Sequence, residues 1–325
     1  MTSLSLSPST SILLCDPGDA MLLVTPTYGM LYSDVGVIAG IAVVDVPVEP
    51  GAALTPADLT AACGRAVERG LRPKLLLVIN PDNPLGSVRP PAEVRSIMDW
   101  AAEQGPHFHL VSDEIYALSV YDKGAGFTSV AQLARERAGA ASETRYLGEN
   151  THVMWGISKD FCASGLRVGV LFSHNAALLS ALGNVGCFSS ASNFAQDALA
   201  VALADIAWVD GFIVENNRRL RDASDGVCRA LQSAGAPFVR PRAGLFVWVD
   251  LSAWLPAPRG FEEERRFTED LYAAGVLLTP GESSHSAKPG CFRICYAWHS
   301  EPASLVEGCA RLTRFLRSCT RDAAE

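Results

Sequence analysis

Near-continuous apolar runs alternate with amphipathic segments over roughly the first two thirds of the chain. The runs predict strands at residues 20–25, 41–48, 74–79, 107–112, 152–157 and 168–173. Helices are predicted from a Thr55 cap to about Arg69, over Pro91–Glu103, and within residues 124–149. Strands that are apolar on both faces and separated by helices are typical of a parallel sheet covered on both sides.

The pattern changes from about residue 225 onward. Strands are predicted at 244–251 and 292–297, and helices at 261–274 and 302–317. One long helix over residues 192–233 is predicted to join this part to the preceding one. We therefore predict a large α/β domain at residues 1–224 and a smaller α+β domain at residues 225–325.

Composition narrows the class of protein. A chain of 325 residues with 49% hydrophobic content is long enough to bury a large core. A net charge of −8 argues against a nucleic-acid partner, and no apolar run of about 18 residues predicts a membrane span. The residues before Cys15 include no basic side chain, so no secretory signal is predicted. Nine cysteines, without the paired spacing of a zinc site, predict reduced thiols in a cytoplasmic protein.

The most informative motif is SKDFCASGLRVG at residues 158–169, directly after a predicted strand. At the end of a buried strand, desolvation lowers the pKa of the Lys159 amine and favours its attack on a carbonyl to form a Schiff base. Arg167 is a permanent cation suited to a phosphate. Together they suggest pyridoxal phosphate as the cofactor. The alternative is that both are solvated surface residues, as most lysines and arginines are.

Two further motifs end predicted strands. NPDNPLG at residues 80–86 is either an ordinary proline-rich turn or a rigid loop whose Asn83 amide donates to a ligand oxygen. SDEIY at residues 112–116 places Asp113 and Tyr116 where both can point into one crevice, if the chain turns there. Asp113 would then keep a pyridine nitrogen protonated, and Tyr116 would donate to the phenolic oxygen of the ring. The alternative is an exposed helix start with a tyrosine at the rim.

A fourth motif, FRICYA at residues 292–297, places Arg293 in the middle of an apolar strand. An unpaired buried guanidinium is not tolerated, so this side chain needs an anionic partner. A substrate carboxylate, bound through two hydrogen bonds, is suited to that role. The alternative is an arginine on an edge strand whose charged end reaches solvent.

Taken in chain order, these four motifs resemble the class I/II aminotransferases of PLP fold type I. Within that family the chain is most similar to 1-aminocyclopropane-1-carboxylate (ACC) synthases and the synthase-like proteins. Further likeness extends over nearly the whole chain, in DPGDA, TPTY, GLFVWVD and PGESSH at residues 16–20, 25–28, 244–250 and 280–285. The resemblance implies an α/β fold with a mostly parallel sheet of the seven-stranded type, helices on both faces, and a smaller C-terminal α+β domain.

The resemblance also implies a role for each candidate residue. Lys159 would form the Schiff base with pyridoxal phosphate and then move the proton at Cα. Asp113 would pair with the pyridinium, while Asn83 and Tyr116 would contact the ring oxygen. Tyr28 would stack on the cofactor ring, Arg167 would bind the phosphate, and Arg293 would bind the substrate carboxylate.

Relative to the family, the sequence begins late. Upstream of Asp16 there is no room for the loop and helix N-terminus that cradle the cofactor phosphate, and Gly156 stands where many relatives have a phosphate-binding serine. The chain is expected to be a fragment of a longer gene product, or else a truncated paralogue without catalysis. For an active protein we predict a homodimeric transaminase-type enzyme acting on an α-amino acid. The alternative activity is that of an ACC synthase acting on S-adenosylmethionine.

Overall fold

The larger of two sheets has six strands within the described part of the chain. The computed structural model describes residues 10–11, 13–139, 145–186, 190–298 and 301–319. The strands of this sheet are β1 Asp19–Thr25, β2 Ala42–Pro47, β3 Arg72–Ile79, β4 His109–Asp113, β5 Thr151–Gly156 and β6 Gly169–Ser173. Their order is β2-β1-β3-β4-β5-β6, and all neighbours are parallel except β6, which is antiparallel to β5. The predicted α/β class with a mostly parallel sheet is confirmed, and the described residues supply six strands of the expected seven-stranded type.

Helices cover both faces of this sheet. On one face pack α1 Pro56–Glu68, α2 Pro91–Glu103 and α3 Val130–Ala138, and on the other packs α4 Ala176–Gly186. Side chains alternate along β1, so that Leu22 contributes to the first apolar layer and Leu23 to the second. Burial on both faces explains why the central strands β1, β3 and β4 are continuous apolar runs in the sequence.

The segment predicted as one long helix over residues 192–233 is two helices, α5 Asn193–Ala204 and α6 Ile206–Ala234. Asp205 lies between them with non-helical backbone angles, and its carboxylate accepts a hydrogen bond from the Trp208 N–H at 3.0 Å. This bond caps the start of α6. The prediction of one helix was wrong because the apolar helical pattern continues across the break. The predicted domain boundary between residues 224 and 225 falls inside α6 and stays a prediction.

A second, antiparallel sheet lies in the C-terminal part of the chain. Its order is β7-β8-β10-β9, formed by β7 Phe238–Val239, β8 Phe246–Asp250, β9 Thr279–Pro280 and β10 Cys291–Cys295. Two helices, α7 Phe261–Ala273 and α8 Pro302–Ser318, pack with the C-terminal half of α6 around a core that includes Val247 and Phe292. This arrangement is the α+β unit that the change of pattern predicts.

Three further properties of the described residues are the state of their cysteines, their metal-ligating side chains and the apolar character of their helices. The eight cysteines outside position 187 are free thiols. Within the described ranges, no three His, Cys, Asp or Glu side chains cluster as metal ligands. None of the helices described there combines the length and apolar character needed to cross a bilayer.

Candidate active site

The carboxyl ends of β3, β4 and β5 lie side by side and carry three of the predicted site residues. Asn83 follows β3, Asp113 ends β4, and Lys159 follows β5 on the single helical turn Ile157–Asp160, called the lysine turn below. In a parallel sheet, carboxyl ends share one edge, which is where ligands bind in open α/β folds. The strand register confirms the adjacency, since Asp113 pairs with Ile79 on one side and Met154 on the other.

Hydrogen bonds connect this edge to the second sheet through Arg293 on β10. Asn83 Nδ2 donates to the Tyr116 hydroxyl at 3.4 Å, and Arg293 Nη1 donates to Asn83 Oδ1 at 3.0 Å. Arg293 Nη2 donates to Thr279 Oγ1 at 3.2 Å, and the guanidinium lies 4.4 Å from the centre of the Phe246 ring. Its Nε is buried without a partner among the described residues. The guanidinium is therefore oriented by neutral groups, which leaves its charge for an external anion.

Lys159 is partly buried beside these groups. Burial lowers the pKa of its amine, and the positive charges of Arg293 and Arg167 lower it further, whereas the negative charge of Asp113 raises it. A lowered pKa leaves more of the amine neutral at pH 7, which is the form that attacks a carbonyl. The electrostatics predicted for a buried lysine at a strand end are thus found here.

Asp113 and Tyr116 are brought together by a turn. The Ala117 N–H donates to the Glu114 carbonyl at 2.9 Å, so the chain reverses directly after β4. Burial raises the pKa of the Asp113 carboxyl to about 7, although the Ile115 N–H donates to its Oδ1 at 3.1 Å. Burial, and then the charge of Asp113, raise the pKa of the Tyr116 phenol. The phenol is therefore a hydrogen-bond donor throughout the physiological pH range.

Tyr28 lies on the segment that follows β1, next to the second sheet. The Thr27 N–H donates to the Ser284 carbonyl at 2.8 Å, which fastens this segment to the C-terminal part of the chain. Burial and the negative charge of Asp34 raise the pKa of the Tyr28 phenol, and the positive charge of Arg293 opposes them. Tyr28 is thus within electrostatic range of the Arg293 guanidinium.

Arg167 lies in the connection between the lysine turn and β6. It is exposed, with left-handed backbone (φ 56°), and its Nη1 donates to the Ser164 carbonyl at 3.2 Å. Its charge acts on the Lys159 amine. Hydrogen bonds or charge interactions therefore connect all seven predicted residues into one group. These residues are Tyr28, Asn83, Asp113, Tyr116, Lys159, Arg167 and Arg293.

This donor set fits pyridoxal phosphate. The cofactor requires an amine of lowered pKa, a carboxyl opposite the ring nitrogen, and donors for the ring oxygen and the phosphate. Lys159 and Asp113 meet the first two requirements, and the Tyr116 phenol is a donor for the ring oxygen. Arg293 has an unpartnered buried Nε, which a substrate carboxylate can satisfy. The residues present therefore match the amine, ring-nitrogen and ring-oxygen requirements of the cofactor, and the carboxylate of an amino-acid substrate.

Three contributors to the site carried no role in the sequence analysis. Thr279 and Phe246 orient the Arg293 guanidinium, and Asp160 buries its carboxylate beneath the lysine turn. Phe246 lies in a segment that resembles the family, so the sequence offered a signal for it. Thr279 lies in a two-residue strand without any pattern, and its contact with Arg293 depends on the tertiary fold.

The fold and this arrangement of residues define the class of protein: the chain belongs to the class I and II aminotransferase family, which residues 6–312 match. Members of this family are PLP-dependent. The chain is 33% identical over 325 residues to 1-aminocyclopropane-1-carboxylate synthase 1 of Oryza sativa subsp. indica, covering 98% of this chain. It is 34% identical over 306 residues to the bovine (Bos taurus) 1-aminocyclopropane-1-carboxylate synthase-like protein 1, covering 90% of this chain. The chain spans 66% of the rice protein and 58% of the bovine protein.

Solved structures show the same fold. Aspartate aminotransferase from Thermus thermophilus with maleate superposes with a TM-score of 0.77 at 26% identity, covering 97% of this chain and 74% of that one. Aspartate aminotransferase from Rhizobium meliloti superposes with a TM-score of 0.79 at 24% identity, covering 98% and 75%. These comparisons confirm the family and the fold that the four motifs predict.

Proposed function

We propose that this protein is a pyridoxal-phosphate-dependent enzyme of the transaminase type that acts on an α-amino acid. The observation that carries the proposal is that the Lys159 amine and the Asp113 carboxyl, at one edge of the first sheet, meet the Arg293 guanidinium of the second sheet. When bound, the cofactor supplies an electron sink for charge that develops at the substrate Cα. Membership in the class I and II aminotransferase family supports the same reaction type.

Each side chain has a defined task in this proposal. Lys159 would hold the cofactor through its amine in the absence of substrate, and this amine would move the proton at Cα once substrate is bound. The Asp113 carboxylate would pair with the ring nitrogen and keep it protonated, and this pairing would oppose the rise in carboxyl pKa that burial causes. Asn83 and Tyr116 hold the ring oxygen, and Arg293 binds the substrate carboxylate. Ring stacking and phosphate binding are assigned to Tyr28 and Arg167.

A second candidate activity is that of an ACC synthase. The observation that favours it is the name of the rice relatives, which are 33–36% identical and are called 1-aminocyclopropane-1-carboxylate synthases. Both activities begin with removal of the Cα proton and differ in the product. Release of methylthioadenosine from S-adenosylmethionine would establish the synthase, and a keto acid formed from an amino donor would establish the transaminase.

The cofactor assignment can be tested by reductive trapping, because the chain has only four lysines, Lys74, Lys123, Lys159 and Lys288. Purified protein is incubated with pyridoxal phosphate, reduced with borohydride and mapped by mass spectrometry. We expect the pyridoxyl group on Lys159, the lysine whose pKa burial lowers. Lys159→Ala should abolish the adduct and Lys123→Ala should leave it unchanged. Labelling spread over the other lysines, or no labelling, would favour a non-catalytic paralogue.

We also propose a homodimer in the cytoplasm. Apolar side chains remain exposed on α5 and on the first turns of α6, where Phe194 is 82% exposed, Val201 76% and Val214 71%. Such a surface favours association of two copies over an isolated monomer. The free thiols favour a reducing compartment. Sedimentation velocity checks the dimer, and Phe194→Asp should shift a dimer toward monomer while Thr313→Asp on α8 should not.

A further inference from the structure

The lysine turn requires support from outside itself. It comprises the four residues Ile157–Asp160, and its N-cap Gly156 has no side chain to cap it. A single helical turn is unstable alone, because nucleation fixes several backbone angles for one hydrogen bond. Catalysis nevertheless requires the amine of Lys159 to be held to within a fraction of an ångström.

The side chain of Asp160, the residue after the lysine, is placed to provide that support. It is 0% exposed, and both of its oxygens accept hydrogen bonds. The Ser119 hydroxyl donates to Oδ1 at 2.6 Å, while Trp155 Nε1 and the Leu118 N–H donate to Oδ2 at 2.9 Å and 3.1 Å. Successive residues of a helix point about 100° apart, so Asp160 can be anchored while the Lys159 amine stays within electrostatic range of Asp113 and Arg293.

The three donors belong to two other parts of the site. Trp155 is on β5, directly before the lysine turn, whereas Leu118 and Ser119 follow Tyr116, the residue hydrogen-bonded to Asn83. The Ser119 N–H also donates to the Tyr116 carbonyl at 3.0 Å. We infer that Asp160 is a positioning residue that fixes the Lys159 amine relative to the Tyr116 phenol. This inference rests on the proposed function, because it assigns Lys159 and Tyr116 to one cofactor.

Burial of the Asp160 carboxyl carries an unfavourable free energy of desolvation. Burial raises its pKa to about 6, even though three donors oppose the shift. An apolar side chain of similar size would avoid this desolvation, but it would leave the Ser119, Trp155 and Leu118 donors without an acceptor. Among the described residues of this turn, Asp160 is therefore the one that joins β5 to the segment after Tyr116 through its side chain.

The test compares two substitutions of similar size. In Asp160→Asn, the amide oxygen still accepts from Trp155 and Leu118, and the amide nitrogen donates to Ser119, whose hydroxyl changes from donor to acceptor. In Asp160→Leu, all three partners lose this connection. We expect kcat of Asp160→Leu to fall on the order of 10²-fold with a smaller change in KM. Its rate of borohydride-trapped labelling at Lys159 should fall as well, and Asp160→Asn should restore most of both.

A second readout separates positioning from loss of stability. The pH at which the absorbance of the bound cofactor changes should shift in Asp160→Leu, because the amine has moved relative to the Tyr116 phenol. The control is Glu264→Leu on α7, since Glu264 is also 0% exposed and accepts from the Gly290 N–H at 2.6 Å. It should lower the melting temperature without moving that spectral pH.

The outcomes separate the inference from the proposed function. Absence of a Lys159 adduct in the wild-type protein defeats the proposed function itself. An adduct in the wild type, with Asp160→Leu unchanged in kcat and spectral pH, overturns the positioning role alone. Equal defects in Asp160→Asn and Asp160→Leu would mean that charge matters rather than position, which also overturns it. If Asp160→Leu does not fold, Trp155→Phe, which removes one donor, must show the same shifts at smaller size or the inference is wrong.

Discussion

At the scale of single residues, the candidate site holds ionisable groups in states that weaken the fold. Asp113 is the clearest case, because burial raises its carboxyl pKa from 3.8 to about 7 in the absence of a cationic ring. Lys159 is the complementary case, with its amine pKa lowered by burial. Such shifts concentrate at functional sites, where the charge of a ligand compensates them.

Asp113→Asn is expected to stabilise the cofactor-free protein at pH 8. Between pH about 3.8 and about 7 the unfolded chain binds fewer protons at this carboxyl than the folded protein. Stability therefore falls as pH rises through that window, and stays reduced above it. Asparagine does not ionise, so the variant should gain on the order of 1–3 kcal/mol at pH 8 and less at pH 5.

Calorimetry of the cofactor-free protein at both pH values measures this gain. The matched control is Asp122→Asn, because Asp122 is exposed and the bond from Arg242 lowers its pKa. That substitution should not stabilise the protein at either pH. A melting temperature of Asp113→Asn at or below that of the wild type at pH 8 would contradict the expected linkage.

Among the helices and strands, the sequence predicts those whose bounds are set by hydrophobic periodicity and by capping residues. Helix α2 has the predicted ends, and the Thr55 hydroxyl caps α1 by accepting from the Asp58 N–H at 3.3 Å. The break at Asp205, the π-helix Tyr32–Ile38 and the two-residue strands β7 and β9 were not predicted. These features depend on tertiary contacts, because each is too short to impose a hydrophobic period.

Two neighbouring strands, β4 and β5, each carry a buried histidine whose titration the hydrophobic pattern does not predict. His109 on β4 and His152 on β5 are buried, with Nδ1 of the first 3.1 Å from Nε2 of the second. His152 Nδ1 lies 2.8 Å from the Ser173 hydroxyl on β6, so a row of three polar side chains connects the three strands. Burial lowers the pKa of His109 to about 4 and that of His152 to about 3.

His152→Gln is therefore expected to make the protein less sensitive to acid. Below pH 6.5 the imidazole of His152 binds a proton in the unfolded chain, whereas the buried imidazole stays neutral until the pH is near 3. Wild-type stability therefore falls as the pH drops from about 6.5 toward 3. Glutamine retains hydrogen-bonding groups and does not titrate. The stability lost between pH 7 and pH 5 should be smaller in the variant by about 2 kcal/mol. Urea unfolding at the two pH values measures this difference, and His107→Gln at an exposed site should leave it at the wild-type value.

At the scale of the whole molecule, the candidate site exists only because two distant parts of the chain meet. Asn83 and Arg293 are 210 positions apart in sequence and 3.0 Å apart at their bonded atoms. The sequence identified each residue by its place on a strand or at a strand end. It could not supply the contact between them, or the Phe246 ring beneath the guanidinium, because these depend on how the two sheets pack.

This interface makes Arg293→Lys a test of the whole arrangement. Lysine keeps the charge but loses the planar fork that bonds Asn83, Thr279 and a carboxylate together. We expect KM for an amino-acid substrate to rise on the order of 10- to 100-fold. Trapping of the cofactor at Lys159 should be unchanged, since the amine does not depend on Arg293 for its position.

This prediction has two controls, which are a substrate that lacks a carboxylate and a variant at a different arginine. A primary amine without a carboxylate should react with the wild type and with Arg293→Lys at similar rates, because it makes no use of the guanidinium fork. Arg242→Lys, at an exposed ion pair with Asp122, should leave KM unchanged. If KM of Arg293→Lys stays at the wild-type value while labelling of Lys159 is lost, Arg293 acts on the cofactor, since its charge lowers the pKa of that amine.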